Sequence, residues 1–310
     1  MDMGRQLLVG LPSTGKTTFV AALWHVIEAG EVETSLELSG PDENLEYVNR
    51  IRERWLKAEE VERTKGNTPN RVHFEALDKD SGATTTIDLP DIAGETYNSH
   101  LTDRQWGSAF AETTEDANGV LLFIHPEEVR EPTMIPETYD EEFEESSTSV
   151  SPPASTGKEV QAGEQKSDEV RWDMEKAPTH VQMVELVQFL DNQLDCVRPF
   201  PVCVIISAWD LVESATLPEQ NAPKPSDWLE ESLPLLHQYL RANPERFSTR
   251  VYGVSALGGS LESDRDSLRA KLNQSERVRV RRGHEETHDI TAPLKWSMKQ
   301  AQKERDAEEN

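Results

Sequence analysis

The chain has 310 residues, 32 Lys and Arg against 58 Asp and Glu, and a formal charge of −26, the wrong sign for a protein that coats nucleic acid or anionic lipid. Leu, Ile, Val and Phe make up about 22% of it, close to the rough 20% floor below which high charge implies disorder, so a folded core with a disordered piece is expected. Nothing approaches the ~18 apolar residues of a membrane helix. The N-terminus enters a strand pattern by Gln6 without a signal-peptide stretch, so a cytoplasmic location is expected, with Cys196 and Cys203 reduced.

In chain order, Arg5-Gln6-Leu7-Leu8-Val9 reads as a strand, residues 10–15 as a loop and the apolar stretch from Phe19 as a helix. Leu45, Val48, Ile51, Trp55 and Leu56 recur at helical spacing, the mark of an amphipathic helix. Two strands, 72–77 and 83–89, flank Asp78-Lys79-Asp80-Ser81-Gly82, which predicts a hairpin. A helix is expected around 102–116. The runs 119–124, 202–206 and 250–254 resemble parallel strands buried on both faces, and helical patterns near 180–195 and 228–242 precede the last two. Alternation of strand and helix predicts one α/β domain of three layers with a mostly parallel sheet, covering 1–310. Residues 127–175 break the rhythm: 15 acidic and 4 basic residues surround a Ser/Pro-rich centre, predicting a disordered acidic insertion. Residues 260–290 read as an irregular segment before a C-terminal helix.

Gly10-Leu11-Pro12-Ser13-Thr14-Gly15-Lys16-Thr17 fits G-x-x-x-x-G-K-[ST] between a strand and a helix, the setting in which this motif cradles phosphates. Glycines let the backbone curl so that successive N–H groups face the anion. Pro12 has no N–H, so the donors come from Ser13, Thr14, Gly15, Lys16, Thr17 and Thr18. Lys16 would bridge the β and γ phosphates and the Thr17 hydroxyl would bind Mg²⁺.

Downstream, the strand Ile87-Asp88-Leu89 runs into Asp91-Ile92-Ala93-Gly94-Glu95. A carboxylate at a strand end can hold Mg²⁺ through water, and a glycine can bring an N–H to the γ-phosphate. Asp91 and Gly94 are the candidates, with Asp88 the alternative carboxylate. Ser207-Ala208-Trp209-Asp210 follows another apolar strand, and Ser255-Ala256 follows the last. Asp210 can accept from N1 and N2 of guanine, and the Ser255-Ala256 backbone can donate to O6. That combination selects guanine over adenine.

Order and content resemble the P-loop GTPases of the translation-factor-related (TRAFAC) class over residues 5–126 and about 178–305. The wording Asp-Ile-Ala-Gly-Glu, Ser-Ala-Trp-Asp and Ser-Ala-Leu-Gly-Gly is similar to the bacterial double-GTPase families of conflict-system operons. The resemblance implies GTP and GDP as ligands with Mg²⁺, hydrolysis, and a protein partner such as a second GTPase or GTPase-associated protein, with a role in anti-phage defence. It also implies a switch threonine before the second strand, for which Thr64 and Thr68 compete; Arg63 beside Thr64 would offer an arginine finger. The chain departs from the family where Ser207 and Ala208 replace Asn/Thr and Lys. The lysine that packs along the purine is missing, and Trp209 is a candidate replacement surface. Glu95 stands where many small GTPases carry a water-orienting glutamine, which points to slow turnover or a residue supplied by a partner. Two other classes stay open: a GTP-dependent interaction module with negligible turnover, and an ATPase with a degenerate base pocket.

His284-Glu285-Glu286-Thr287-His288 fits H-E-x-x-H, yet its polar surroundings predict a surface loop rather than a zinc-binding helix. Arg277, Arg279, Arg281 and Arg282 read as a solvated face or as ion-pair partners of the acidic insertion, with contact to a phosphate-bearing ligand or an acidic partner as the alternative. Trp24, Trp55, Trp106, Trp228 and Trp296 read as core or interface aromatics.

Overall fold

A computed structural model describes residues 2–39, 45–61, 72–89, 114, 117–132, 176–194, 196–216 and 222–308. Its centre is a nine-stranded sheet. The strands are β1 Asp2–Gly10, β2 Leu36–Leu38, β3 Val72–Asp78, β4 Thr84–Leu89, β5 Ala117–Ile124, β6 Phe200–Ser207, β7 Phe247–Ser255, β8 Arg279–Arg282 and β9 Glu285–Thr287, in spatial order β2-β3-β4-β1-β5-β6-β7-β8-β9. The five strands from β4 to β7 are mutually parallel. Antiparallel pairs flank them, β2-β3-β4 on one side and β7-β8-β9 on the other.

The helices are α1 Lys16–Ala29, α2 Leu45–Leu56, α3 Thr179–Gln193, α4 Trp209–Ala215, α5 Pro225–Ser232, α6 Pro234–Ala242, α7 Arg265–Ala270 and α8 Ala292–Glu308. Period-two alternation splits the sheet's apolar side chains between two cores. Leu8, Leu121, Phe123, Cys203 and Ile205 pack with α1, α2 and α8. Leu7, Val9, Val120, Leu122, Val204 and Ile206 pack with α3, α5 and α6 on the opposite face. This is the expected three-layer α/β arrangement.

Three expectations change. The helical pattern at 228–242 is two helices, because Pro234 starts α6 and the backbone turns at Leu233. The stretch 260–290, read as irregular, holds α7, a 3₁₀ turn Gln274–Arg277 and the β8-β9 hairpin. The start of the insertion is structured: Pro126–Glu128 is a 3₁₀ turn, and Arg130 N–H donates to Thr179 Oγ1 at 2.9 Å while Thr179 N–H donates to Arg130 O at 3.1 Å. Those bonds bring the insertion's two ends together, and residues 133–175 lie outside the described residues. The expected helix at 102–116 does so too, except for Thr114. Both cysteines are free. Among the described residues no helix is long and apolar enough to cross a membrane.

Candidate functional site: a phosphate loop beside a carboxylate–hydroxyl pair

β1 and β5 run side by side, with Gly10 opposite Phe123. A Cβ at Gly10 would lie 2.5 Å from the Phe123 carbonyl oxygen, at a φ of +154°. The chain can leave the strand at this point only through glycine. The loop turns back through left-handed conformations at Ser13 (φ 65°) and Gly15 (φ 82°), and Thr14 Oγ1 closes it by donating to Leu11 O at 2.8 Å.

Lys16 occupies the centre of that curl. Its Nζ donates to Gly10 O at 2.9 Å, to Leu11 O at 2.8 Å and to Thr14 Oγ1 at 3.2 Å. Burial lowers its pKa to about 8, since an ammonium is disfavoured away from water. α1 starts at this lysine with Gly15 as its N-cap, no side-chain cap and no acidic residue in the first turn. The positive end of a 14-residue helix therefore points its first N–H groups, with Thr17 and Thr18 among them, into the loop. A half-buried ammonium and a bare helix N-terminus form a donor set that fits a polyphosphate.

β6 delivers the second half of the site. A Cβ on Gly15 would lie 3.3 Å from the Ser207 side chain, so the end of β6 touches the phosphate loop. Ser207 Oγ donates to Ile124 O at 3.1 Å. Ala208 then takes a left-handed φ of 45° and launches α4. Asp210 sits in the first turn of α4, and the buried Ser255 at the end of β7 donates its hydroxyl to the Asp210 carboxylate. Residues 45 positions apart in sequence are thus joined, three residues beyond the Ser207 that touches the loop.

Trp209 does not supply a base platform. It is 1% exposed, and a Cβ at Gly253 would lie 2.3 Å from its ring, so the indole lies flat on β7 within the core. Asp88 does not fit the metal role either: it is fully buried in β4 opposite Leu7, with Arg5 at 3.6 Å and His73 at 3.7 Å. Two strand positions separate its partner Leu7 from Val9, which precedes the loop, so this carboxylate serves the sheet interior. Arg63, Thr64, Thr68, Asp91, Gly94 and Glu95 lie outside the described residues.

The H-E-x-x-H stretch forms the β8-β9 turn and strand, where its histidines are not one helical turn apart. His288 Nδ1 lies 2.6 Å from Val278 O. Among the described residues no group of three or more His, Cys, Asp or Glu is placed to hold a metal. The basic stretch is not uniformly solvated. Arg279 and Arg281 pair with Glu213 at 2.7 and 2.9 Å, Arg281 also meets Glu286 at 2.6 Å, and Arg282 pairs with Glu285. Arg277 is fully buried over the Trp55 ring. The packing of Arg277 on Trp55 beside the turn after β7 was not legible in the sequence; the only local signal was an arginine inside a stretch ending in the apolar Val278 and Val280.

A glycine-gated loop after the first strand, a central lysine, a bare helix N-terminus and a mixed α/β sheet together define a P-loop nucleotide-binding domain. The chain belongs to the Double-GTPase 1 family, whose model matches residues 7–297. This bears out the resemblance to the double-GTPases and supports GTP binding. A search of curated proteins gives no match. Among solved structures, the chain is similar to Aquifex aeolicus Era bound to GDP·AlF₄⁻, with 17% identity, 86% of this chain and 54% of that one covered, and a TM-score of 0.32. A bacterial selenocysteine-specific elongation factor, EF-Sec, gives 10%, 86%, 28% and 0.35. The Saccharomyces cerevisiae Ski7 GTPase-like domain, bound to GTP, gives 12%, 84%, 44% and 0.36. The chain spans between about a quarter and just over half the length of these relatives.

Proposed function

We propose that this chain binds GTP with Mg²⁺, hydrolyses it to GDP and phosphate, and acts as a nucleotide-dependent switch for a protein partner. The observation that carries the reading is Lys16: a half-buried ammonium on three loop oxygens, at the uncapped start of α1. On nucleotide binding, Lys16 exchanges loop oxygens for the β and γ phosphate oxygens, while the N–H groups of residues 13–18 hold the chain of phosphates. Asp210 accepts from guanine N1 and N2, and the Ser255-Ala256 backbone serves O6. Mg²⁺ neutralises charge on the β and γ oxygens when bound; Thr17 and Asp91 would hold it. Gly94 would sense the γ-phosphate, Glu95 orient the attacking water, and Thr64 or Thr68 close over the site.

Such catalysis is mainly positional and electrostatic. The family resemblance supports a second GTPase or a GTPase-associated protein as the partner, in the setting of a bacterial conflict system. The test is binding of a fluorescent guanine nucleotide with Mg²⁺, followed by single-turnover phosphate release. Binding that survives Lys16→Ala would sink the phosphate-loop assignment.

One observation favours a second reading as an ATPase. Trp209 is turned into the core, so it does not replace the lysine that flanks the purine in the resembling families. Base discrimination then rests on Asp210 and the 255–257 backbone.

A further inference from the structure

The turn that follows β7 is held from outside by an aromatic–cation pair. Trp55, on α2 and fully buried, donates its indole N–H to Ala256 O at 2.9 Å. Arg277, also fully buried, donates from Nε to Leu257 O at 3.2 Å and from Nη1 to Gln274 Oε1 at 2.9 Å. Its guanidinium lies 4.2 Å from the centre of the Trp55 ring, and its Nη1 is 3.5 Å from Leu56 O. At Gly258 (φ +91°) a Cβ would come within 2.4 Å of the Arg277 carbonyl oxygen, so the loop and the 3₁₀ turn are in backbone contact.

A buried guanidinium is costly to desolvate, and burial lowers the pKa of Arg277 to about 10. The partners described for it are carbonyl and amide oxygens and an indole face, an arrangement built to orient backbone. Peptide planarity makes that orientation consequential. Fixing the Ala256 C=O toward Trp55 aims the Leu257 N–H the opposite way, and fixing the Leu257 C=O does the same for Gly258. Ser255, bonded to Asp210, lies directly upstream.

We infer that Trp55 and Arg277 are positioning residues for purine recognition, clamping the carbonyls of Ala256 and Leu257 so that the 255–257 backbone meets the base edge in one orientation. This rests on the guanine reading above and deepens it. Neither side chain touches the nucleotide; both act through the loop. Half of the clamp comes from α2, a helix in a different part of the sequence from the base-reading strands, and half from the 3₁₀ turn Gln274–Arg277, so base selectivity depends on how the two are seated on each other.

The experiment compares GTP, ATP and tripolyphosphate as competitors of a fluorescent guanine nucleotide on the full chain with Mg²⁺. Its variants are Trp55→Phe, which keeps a ring and loses the N–H, and Arg277→Lys, which keeps a cation and loses the Nε donor. The inference expects GTP affinity to fall about tenfold, the scale of one lost buried hydrogen bond, with ATP and tripolyphosphate affinities unchanged. The GTP-to-ATP ratio therefore falls about tenfold in both variants. Wild-type protein that discriminates GTP from ATP, together with a folded variant that keeps the full ratio, overturns the clamp and leaves the guanine reading intact. A parallel loss of all three competitors also overturns it, since that is general loosening. If wild-type protein does not discriminate, the guanine reading fails and takes the inference with it. Should Trp55→Phe fail to fold, Arg277→Lys decides alone.

Discussion

The Ser255 hydroxyl donates to the Asp210 carboxylate, tying the end of β7 to the first turn of α4. An aspartate held this way presents its remaining lone pairs in a fixed direction, which is what a reader of two adjacent N–H groups needs. Asp210→Asn replaces one acceptor oxygen by a donor that opposes the guanine N–H groups. It should lower GTP affinity by about 100-fold, on the scale of a lost charge-assisted pair plus an unsatisfied donor, and leave ATP affinity unchanged. Ser255→Ala should lower GTP affinity about tenfold. Titration calorimetry on both variants checks this.

Lys16 makes nucleotide affinity depend on pH. Its folded pKa is about 8, lowered by burial from an ordinary value of 10.5. Phosphate binding requires the ammonium, so above pH ~8 binding must take up a proton, and affinity should fall toward tenfold per pH unit. For the nucleotide-free fold the sign is opposite. The penalty of burying charge is present in full below pH 8 and is relieved as pH rises from 8 to 10.5. Lys16→Met should weaken binding strongly and flatten the pH dependence, read as Kd across pH 7–9.5.

Gly10 is a steric requirement. In Gly10→Ala the new Cβ would meet the Phe123 carbonyl oxygen at 2.5 Å, so β1 and β5 must part at the mouth of the loop. A loss of about 3 kcal/mol in urea unfolding is expected, with nucleotide affinity reduced as well.

Asp88 separates structural from metal-binding carboxylates. Buried between Arg5 and His73, it should cost about 3 kcal/mol of stability when changed to alanine, while the Mg²⁺ concentration needed for nucleotide binding stays the same. Asp91→Ala should do the reverse. Denaturation curves and Mg²⁺ titrations of the two variants give the comparison.

Long apolar strands were legible in the sequence because both of their faces are buried: Leu121, Leu122, Val204, Ile205 and Ile206 alternate between two cores, so the whole run must be apolar. Edge strands were not. β2 has three residues, and β8 and β9 are rich in Arg and Glu whose charges pair across the hairpin and with Glu213; such a pattern reads as surface loop. The phosphate loop was legible because its chemistry is local, with glycines, a lysine and a threonine at fixed spacing. Asp210 and Ser255 each stood out by following an apolar strand, but the bond between them was not legible. Trp209 was misassigned as a base surface because its seat, Gly253, is on the neighbouring strand, a relation that depends on register. Trp55 and Arg277 meet only through tertiary packing of α2 against the turn after β7, and neither carries a local motif.

The most direct test of guanine-nucleotide binding by the P-loop is displacement of a fluorescent guanine nucleotide from the purified chain, with Mg²⁺, by GTP and by ATP in parallel. Displacement by GTP, with ATP at least 100-fold weaker, is the predicted result, in line with the worth of a carboxylate that reads two N–H groups. Equal displacement by the two nucleotides would contradict it.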